Sequence, residues 1–427
     1  MTIDNESPTA AATATPASAP EPEKKVSGLF LTLFGFLNFG LYLTVMMPAL
    51  FSLPYKIGVL APDDKVAVLG LVATVGAVVG IITGPIAGVL SDRTQTRIGR
   101  RRPWLIGGIL ILALGSSVVA LAPSVPVLIL GWSIVSIAGG ATGAAITPIV
   151  AERVPEAQRG TVGAIVGVAT QLSGVLGYTI GGALTESLLL LFLVPVIVLA
   201  VVAAVFMIVV REPVIEAPRT TVAETVRSLL FNPVRHPDFA LVWVGKLFMQ
   251  IALAFLTTYQ LYFVIDRLGF TAEEAGGNLA LVGGIGIVVT MGFAVVSGML
   301  SDKLKRRKLF IYLASGLTAV GLVLMSITDG FGLFFAAVMF ILGAAGMFGS
   351  VDVALASDLV PERDQAGRWM SIYNLAATLS TALAPLLGAA LLALGSADST
   401  NYLALFLVGA GIAVVPAVTA AFIKGVR

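Results

Sequence analysis

Two ionisable residues stand inside long apolar runs of this chain, Lys246 in LVWVGKLFMQIALAFLTTYQLY and Asp352 in FFAAVMFILGAAGMFGSVDVALA. Burying a charge in hydrocarbon costs at least about 2.5 kcal/mol by insertion scales, so each is a functional candidate by default. Lys246 falls about seven residues into its run and Asp352 about six residues from the end of its own. If the runs are helices crossing in opposite directions, both side chains sit about 10 Å deep from the same face. The chemistry this offers is a coupling pair, open to protonation or breakage. Partnering keeps both groups ionised, and protonating Asp352 leaves Lys246 free to seek another anion. The other reading is structural: a fixed pair, or Lys246 snorkelling alone to the interface.

A second set of candidates is uncharged. Asn38, Tyr42, Thr142, Gln171, Gln250, Thr257, Tyr259 and Asn374 put amide, hydroxyl and aromatic groups near the middle of apolar runs. Such groups suit a neutral polyol such as a sugar, by hydrogen bonding plus stacking on ring faces, and they equally serve as hydrogen-bonding glue between helices. Enzymatic chemistry has little to stand on. There is no cysteine, which removes disulfides, thiolate metal sites and cysteine nucleophiles, and the single histidine, His236, lies in a polar connection. No Gly-x-Ser-x-Gly elbow and no metal-binding His pair occurs, so no cofactor and no metal is expected. The Gly-rich stretches, Gly139-Gly140 with Gly143 and Gly283-Gly284 with Gly286, follow no strand; they read as close-packing helix faces and not as phosphate loops.

The elements that must position these residues follow from solvent. Apolar residues make up 57% of the 427 and charged residues only 12%, whereas a water-exposed exterior needs roughly a quarter charged. Lipid is therefore the solvent for most of the chain. The net charge of +2 gives no reason to expect nucleic acid. A helix needs about 20 apolar residues to cross the hydrocarbon, and breaks at charged or Pro/Gly-rich points leave twelve such stretches. Their expected limits are 28–50, 66–91, 104–122, 126–150, 160–185 and 187–210, then 239–265, 274–300, 309–328, 331–357, 366–394 and 400–423. This divides the chain into a disordered tail (1–27), a six-helix bundle (28–211), a cytoplasmic loop (212–238) and a second six-helix bundle (239–427). The central loop, with its Arg residues and Pro, is expected to tether the bundles along the membrane surface. With both termini inside, 22 of the 26 basic residues gather at the cytoplasmic side, Arg368 just inside the limit of its span there, with three outside (Lys56, Lys65, Arg267) and Lys246 within a span. One helix too many or too few would scramble that asymmetry.

Two sentences of the sequence are written twice. GPIAGVLSDRTQTRIGRRRPW (84–104) is matched by SGMLSDKLKRRK (297–308), and AERVPEAQRG (151–160) by ASDLVPERDQAG (356–367). Such recurrence marks duplicated halves, a recurring plan of secondary transporters. In Gly88, Asp92, Arg93, Gly99, Arg100, Arg101 and Arg102 the chain resembles the major facilitator superfamily, whose signature between spans two and three has a Gly, an acid, a base, a Gly and a basic cluster. Gly88 is expected to permit close helix contact, and Asp92 to accept hydrogen bonds or pair with Arg at a helix end. The Arg cluster is expected to anchor the cytoplasmic face, and anchoring is the alternative to a gating role. The resemblance implies an all-α fold of two pseudo-symmetric six-helix bundles, with spans one, four, seven and ten around a central cavity. It also implies that this loop holds the halves together on the cytoplasmic side when the outer side is open, a role carried here by Asp92 and Arg93 with Asp302 and Lys303 as second-half counterparts.

Within the superfamily, the spacing from Asp92 to Gly99 and the GRRRPW ending look like the sucrose and glycoside:cation symporters. The acidic residues those relatives carry in the first or second span are missing, since 28–50 and 66–90 contain no Asp or Glu. Drug:proton antiporters resemble the chain less: span four has no Arg, and Tyr178 in GYTIGG stands where their Pro belongs. The expectation is a multi-pass cytoplasmic-membrane transporter, acting as a monomer on a small solute by alternating access, with proton-coupled sugar or glycoside uptake first and drug or metabolite efflux second.

Overall fold

The computed structural model describes residues 25–210, 231–395 and 401–424. The expected tail, up to residue 24, and most of the central loop, 211–230, lie outside the described residues. Among the described residues, twelve helices are long and apolar enough to cross a membrane, and we number them as spans 1 to 12: Gly28–Leu60, Lys65–Arg93, Arg102–Leu121, Val125–Arg153, Glu156–Ala183, Leu188–Val209, Pro237–Arg267, Ala272–Leu304, Arg307–Ser326, Phe331–Asp358, Arg363–Leu392 and Tyr402–Phe422.

Local chemistry sets the helix ends. Ser27 accepts from the Phe30 N–H at the start of span 1, and Asn401 from the Ala404 N–H at the start of span 12. Thr271 and Glu274 form a reciprocal capping box that opens span 8. Span 1 departs from its expected end at residue 50. It runs on to Leu60 through a π-helical turn, Pro48–Ser52, and a last helical segment, Leu53–Leu60. In the widened turn the Leu53 N–H donates to the Pro48 carbonyl and the helix continues past both prolines, which lack an N–H, so residues that read as a stop act only as a local distortion.

The packing repeats under a shift of six spans. Spans 1 and 5, 1 and 6, 2 and 4, 3 and 4, and 3 and 6 pack together, and so do 7 and 11, 7 and 12, 8 and 10, 9 and 10, and 9 and 12. The two halves meet along spans 5 and 8 and along spans 2 and 11. Small residues bring the backbones close, as lipid-solvated helices require: a Cβ on Gly115 would lie 2.9 Å from the Val135 nitrogen, and one on Gly321 3.0 Å from the Ala337 oxygen. The loops of the recurrent motifs fall at one face of the bundle, here the loop face; the ends of spans 1 and 7 mark the far face.

Candidate functional site

Between the halves lies a cavity of about 690 Å³. Its wall comes from spans 1, 2, 4, 5, 7, 8, 10 and 11, with Leu112 of span 3, and contains no Asp, Glu, Lys, Arg or His. Glycines make the room: Gly76, Gly80, Gly139, Gly140, Gly174, Gly283 and Gly286 all line it. The two Gly-rich stretches expected to be helix-packing faces thus contribute to the cavity wall, although Gly286 also packs closely on Leu342.

The polar lining has a definite donor and acceptor balance. Thr44, Ser136 and Thr170 each spend their hydroxyl hydrogen on a carbonyl of their own helix, at 2.7, 2.9 and 2.9 Å, which leaves their oxygens able to accept. Gln260 donates to the Tyr178 hydroxyl at 3.4 Å. Gln171 of span 5 is exposed and lines the cavity, and the Trp132 indole of span 4 contributes to the same wall. A neutral ligand with hydroxyl groups and an apolar body matches this wall; an ion finds no counter-charge in it.

Of the eight uncharged candidates, Gln171 and Thr257 line the cavity. The others lie outside its wall. Asn38 is buried and donates to the Phe34 carbonyl, and Thr142 is buried with its hydroxyl on the Ala138 carbonyl, facing Gly108 of span 3. Tyr259 is buried between spans 7 and 11, donating to the Pro385 carbonyl at 2.5 Å. Tyr42 and Gln250 are half-buried elsewhere, and Asn374 is on an exposed face of span 11. Thr44, Trp132, Ser136 and Tyr178 take their place in the wall. Residue type marks them no differently from other polar residues in spans, because cavity facing is set by helix rotation.

The far face is shut by contacts between the halves. Lys65 of span 2 pairs with Asp266 of span 7 at 2.6 Å and lies 5.2 Å from the Tyr262 ring centroid, while Tyr402 reaches the same carboxylate at 3.4 Å. Tyr262 donates to the Pro54 carbonyl at 2.9 Å, and Thr74 to that of Ala382 at 2.9 Å. The backbones of spans 5 and 8 cross at Gly182 and Gly276, where a Cβ on Gly276 would lie 2.7 Å from the Gly182 Cα.

At the loop face, each recurrent motif closes a charge network within its own half. Gly99 holds φ at 116°, a conformation that suits glycine, in a tight turn in which its N–H reaches the Thr96 carbonyl at 3.1 Å. The turn throws the Arg run back beneath span 2. Asp92 pairs with Arg100 at 2.5 Å and with Arg101 at 2.9 Å, and Arg101 also pairs with Glu152 at the end of span 4, at 2.5 Å. Arg102 donates to the carbonyls of Met207 and Val210, the free end of span 6, and Trp104 to Thr94. In the second half Arg307 bridges Asp358, at 2.6 Å, and Asp302, at 3.6 Å. Glu152 and Asp358 were legible in principle: each stands two residues before the Val-Pro-Glu shared by the second motif pair. Arg93 and Lys303 are exposed on this face. The close helix contact expected at Gly88 is not made in this conformation, since a Cβ there would meet nothing within 4 Å.

Lys246 and Asp352 come together, though without an ion pair between them. Tyr373 of span 11 stands between: Lys246 Nζ lies 3.3 Å from its ring centroid, and its hydroxyl donates to Asp352 Oδ2 at 2.5 Å. The expectation of a direct pair is corrected by the aromatic ring, whose face attracts the ammonium while its hydroxyl satisfies the carboxylate. Asp352 and Tyr373 are 3% and 1% exposed, within a cluster that includes Met249, Phe348, Val351 and Ile372. None of the three residues lines the cavity.

Two six-helix halves around a central cavity, shut at one face and carrying paired motif networks at the other, define a polytopic transporter of the secondary-active class. The family model of the Major Facilitator Superfamily matches residues 26–351 and 288–426, and the chain belongs to that superfamily. Solved structures share the fold at low identity. A point mutant of the nucleoside transporter NupG matches with a TM-score of 0.75 at 14% identity, over 92% of this chain and 99% of that one. A bacterial homolog of the human lysosomal transporter Spinster, in an inward-facing and unoccupied conformation, matches at 0.68 and 16%, over 92% and 95%. Among curated proteins, an uncharacterized symporter of Synechocystis sp. is 48% identical over 48 residues, which is 11% of this chain and 9% of that protein.

Proposed function

We propose that this chain moves a neutral, hydroxyl-bearing solute, a sugar or glycoside, into the cell together with protons, by alternating access of one central cavity. The observation that carries this reading is the uncharged cavity wall, which presents the Gln171 amide, the Trp132 indole and a set of accepting hydroxyls on an otherwise apolar surface. The apolar share of that wall favours a glycoside with an apolar aglycone over a free sugar. It is also what recommends the second reading, export of an apolar drug or metabolite. The motif loops face the cytoplasm of the cytoplasmic membrane, with both termini on that side, because the basic residues gather there. The protein works as a monomer. Asp92 and Arg93, with Asp302 and Lys303, engage across the halves when the loop face closes. Asp352 is the proton-coupling group, and Lys246 its counter-charge.

Reconstitution into liposomes tests the reading, with radiolabelled 4-nitrophenyl glucoside as neutral probe and tetraphenylphosphonium as cationic probe. The glucoside accumulates when the outside is acidic, and the cation does not move. Counterflow of the cation with no entry of the glucoside would instead establish the export reading. Gln171→Leu lowers glucoside affinity about tenfold, the effect of one or two lost hydrogen bonds; unchanged affinity removes Gln171 from the binding site. Asp352→Asn keeps glucoside counterflow and loses accumulation. A variant that still concentrates the probe against a gradient takes the coupling role from Asp352.

A further inference from the structure

We infer that Tyr373 is the positioning residue of the coupling site, linking the Lys246 ammonium to the Asp352 carboxylate and passing the protonation state of Asp352 to spans 7 and 11. The inference rests on the reading of Asp352 as the coupling group. Its starting point is separation: the cavity wall holds no ionisable side chain of the carboxylate or basic classes, and the buried charges sit outside it. Solute and proton therefore do not compete for one residue. Any coupling between them runs through the helices that serve both places.

Spans 7 and 11 do so. Span 7 brings Lys246 to the triad and Thr257, Thr258 and Gln260 to the cavity, and span 11 brings Tyr373 to the triad and Thr381 and Pro385 to the cavity. Asp352 itself is on span 10, so Tyr373 is where the three helices are tied. Trp243 of span 7 adds a second tie, donating to the carbonyl of Ile372, the neighbour of Tyr373, at 2.9 Å. Among the described residues, the polar group that faces Asp352 is the Tyr373 hydroxyl, which donates to its oxygen, and the nearby charge is Lys246 over the Tyr373 ring.

Protonation of Asp352 changes both contacts of Tyr373 at once. The hydroxyl loses a charge-assisted bond and keeps at most a neutral one of about half the strength. The ammonium over the ring loses its counter-charge and is left in apolar surroundings, which it escapes by extending toward the loop face. With both contacts weakened, span 11 is free to shift against spans 7 and 10, and the shift reaches Thr381 and Pro385 in the cavity. In the ionised state the triad holds the three helices in the arrangement described above.

The proton-binding step is observed by infrared difference spectroscopy of the full-length protein in lipid, as the carboxylic acid band that rises on acidification and is absent from Asp352→Asn. Tyr373→Phe keeps the ring and removes the hydroxyl, and Lys246→Met removes the charge. We expect each to move the midpoint of that band by about one pH unit or more, a roughly tenfold change in proton affinity. We also expect Tyr373→Phe to uncouple transport, retaining counterflow of 4-nitrophenyl glucoside while its pH-driven accumulation falls at least tenfold. An Asp352 band whose midpoint and frequency are the same in wild type and Tyr373→Phe, in a variant that melts like wild type, overturns the inference. Loss of the role proposed for Asp352 shows separately, as an Asp352→Asn protein that still accumulates the glucoside.

Discussion

Replacing Gly276 by Val is expected to disfavour the far-face-closed conformation while leaving the protein folded. At the crossing of spans 5 and 8, a Cβ on Gly276 would lie 2.7 Å from the Gly182 Cα, 2.8 Å from the Tyr178 carbonyl oxygen and 3.0 Å from the Gly182 nitrogen. All three are backbone atoms, so no rotamer change relieves the overlap and the two helices must separate. Overpacking of this kind costs about 1–3 kcal/mol, and here the cost applies to only one of the two states that alternating access requires. The equilibrium therefore moves about five- to 150-fold toward the far-face-open state. Steady transport, which needs both states, falls by up to the same factor. Distances between spin labels on the far face report the shift directly; a Gly276→Val protein with the wild-type distance distribution would show that this crossing does not gate. Gly70 of span 2 is a second such point, since a Cβ there would lie 2.7 Å from the Ala389 Cβ and 2.9 Å from the Pro385 oxygen on span 11. Gly70→Val should act in the same direction. A bulky residue at Gly88, whose Cβ would meet nothing within 4 Å, should not open the far face.

Arg101→Ala is expected to give the largest loss of stability of any single change at the loop face. Arg101 is 3% exposed and pairs with Glu152, Asp92 and the Ser91 hydroxyl at 2.5, 2.9 and 2.8 Å. The carboxylates it serves are 35% and 20% exposed, so its loss costs less than breaking a fully buried pair, about 1.5–3 kcal/mol, the worth of a hydrogen bond to a charged group. Arg100 stays beside Asp92 but lies 3.9 Å from Glu152, so it does not take over. Arg101→Lys should recover only part of the loss, because an ammonium lacks the planar fork that serves several acceptors at once. The control is Arg102→Ala, which removes a cap from span 6 and costs about 1 kcal/mol. Melting temperatures of the detergent-solubilised proteins in the order wild type, Arg102→Ala, Arg101→Lys, Arg101→Ala would bear this out. An Arg101→Ala protein that melts with wild type would reduce the basic cluster to a membrane anchor.

The spans and the paired motifs were legible because each is written in a local signal. Apolar length alone separates a crossing helix from its loops, and the VPE and Asp-basic repeats report the duplication without any knowledge of packing. Span 1 was cut short because Pro48 and Pro54 signal a break, and no local pattern announces the π-helical turn that carries the helix through them. Cavity facing was the least legible feature. Thr142 and Thr44 are the same residue type in similar apolar surroundings, yet one packs on Gly108 and the other lines the cavity. In lipid the outward face of a helix is as apolar as its buried face, so the amphipathic stripe that reports rotation in soluble helices is weak. Lys246 and Asp352 stood out because their burial is costly. Tyr373 did not, since a tyrosine in a span is ordinary by composition and its two partners stand on other helices, Asp352 on the span before and Lys246 four spans earlier.

Because the chain has no cysteine, paired labels can be placed one pair at a time on an otherwise unreactive background. One pair belongs on the loop face, at Arg97 and Lys305, and one on the far face, at Asp63 and Glu273, all of which are exposed. Interspin distances in lipid, with and without 4-nitrophenyl glucoside and across a range of pH, then test whether the two halves rock about the cavity. The expected result is reciprocal: in the population where the far-face distance lengthens, the loop-face distance shortens. Both distances unchanged under every condition, or both moving in the same direction, would contradict the account.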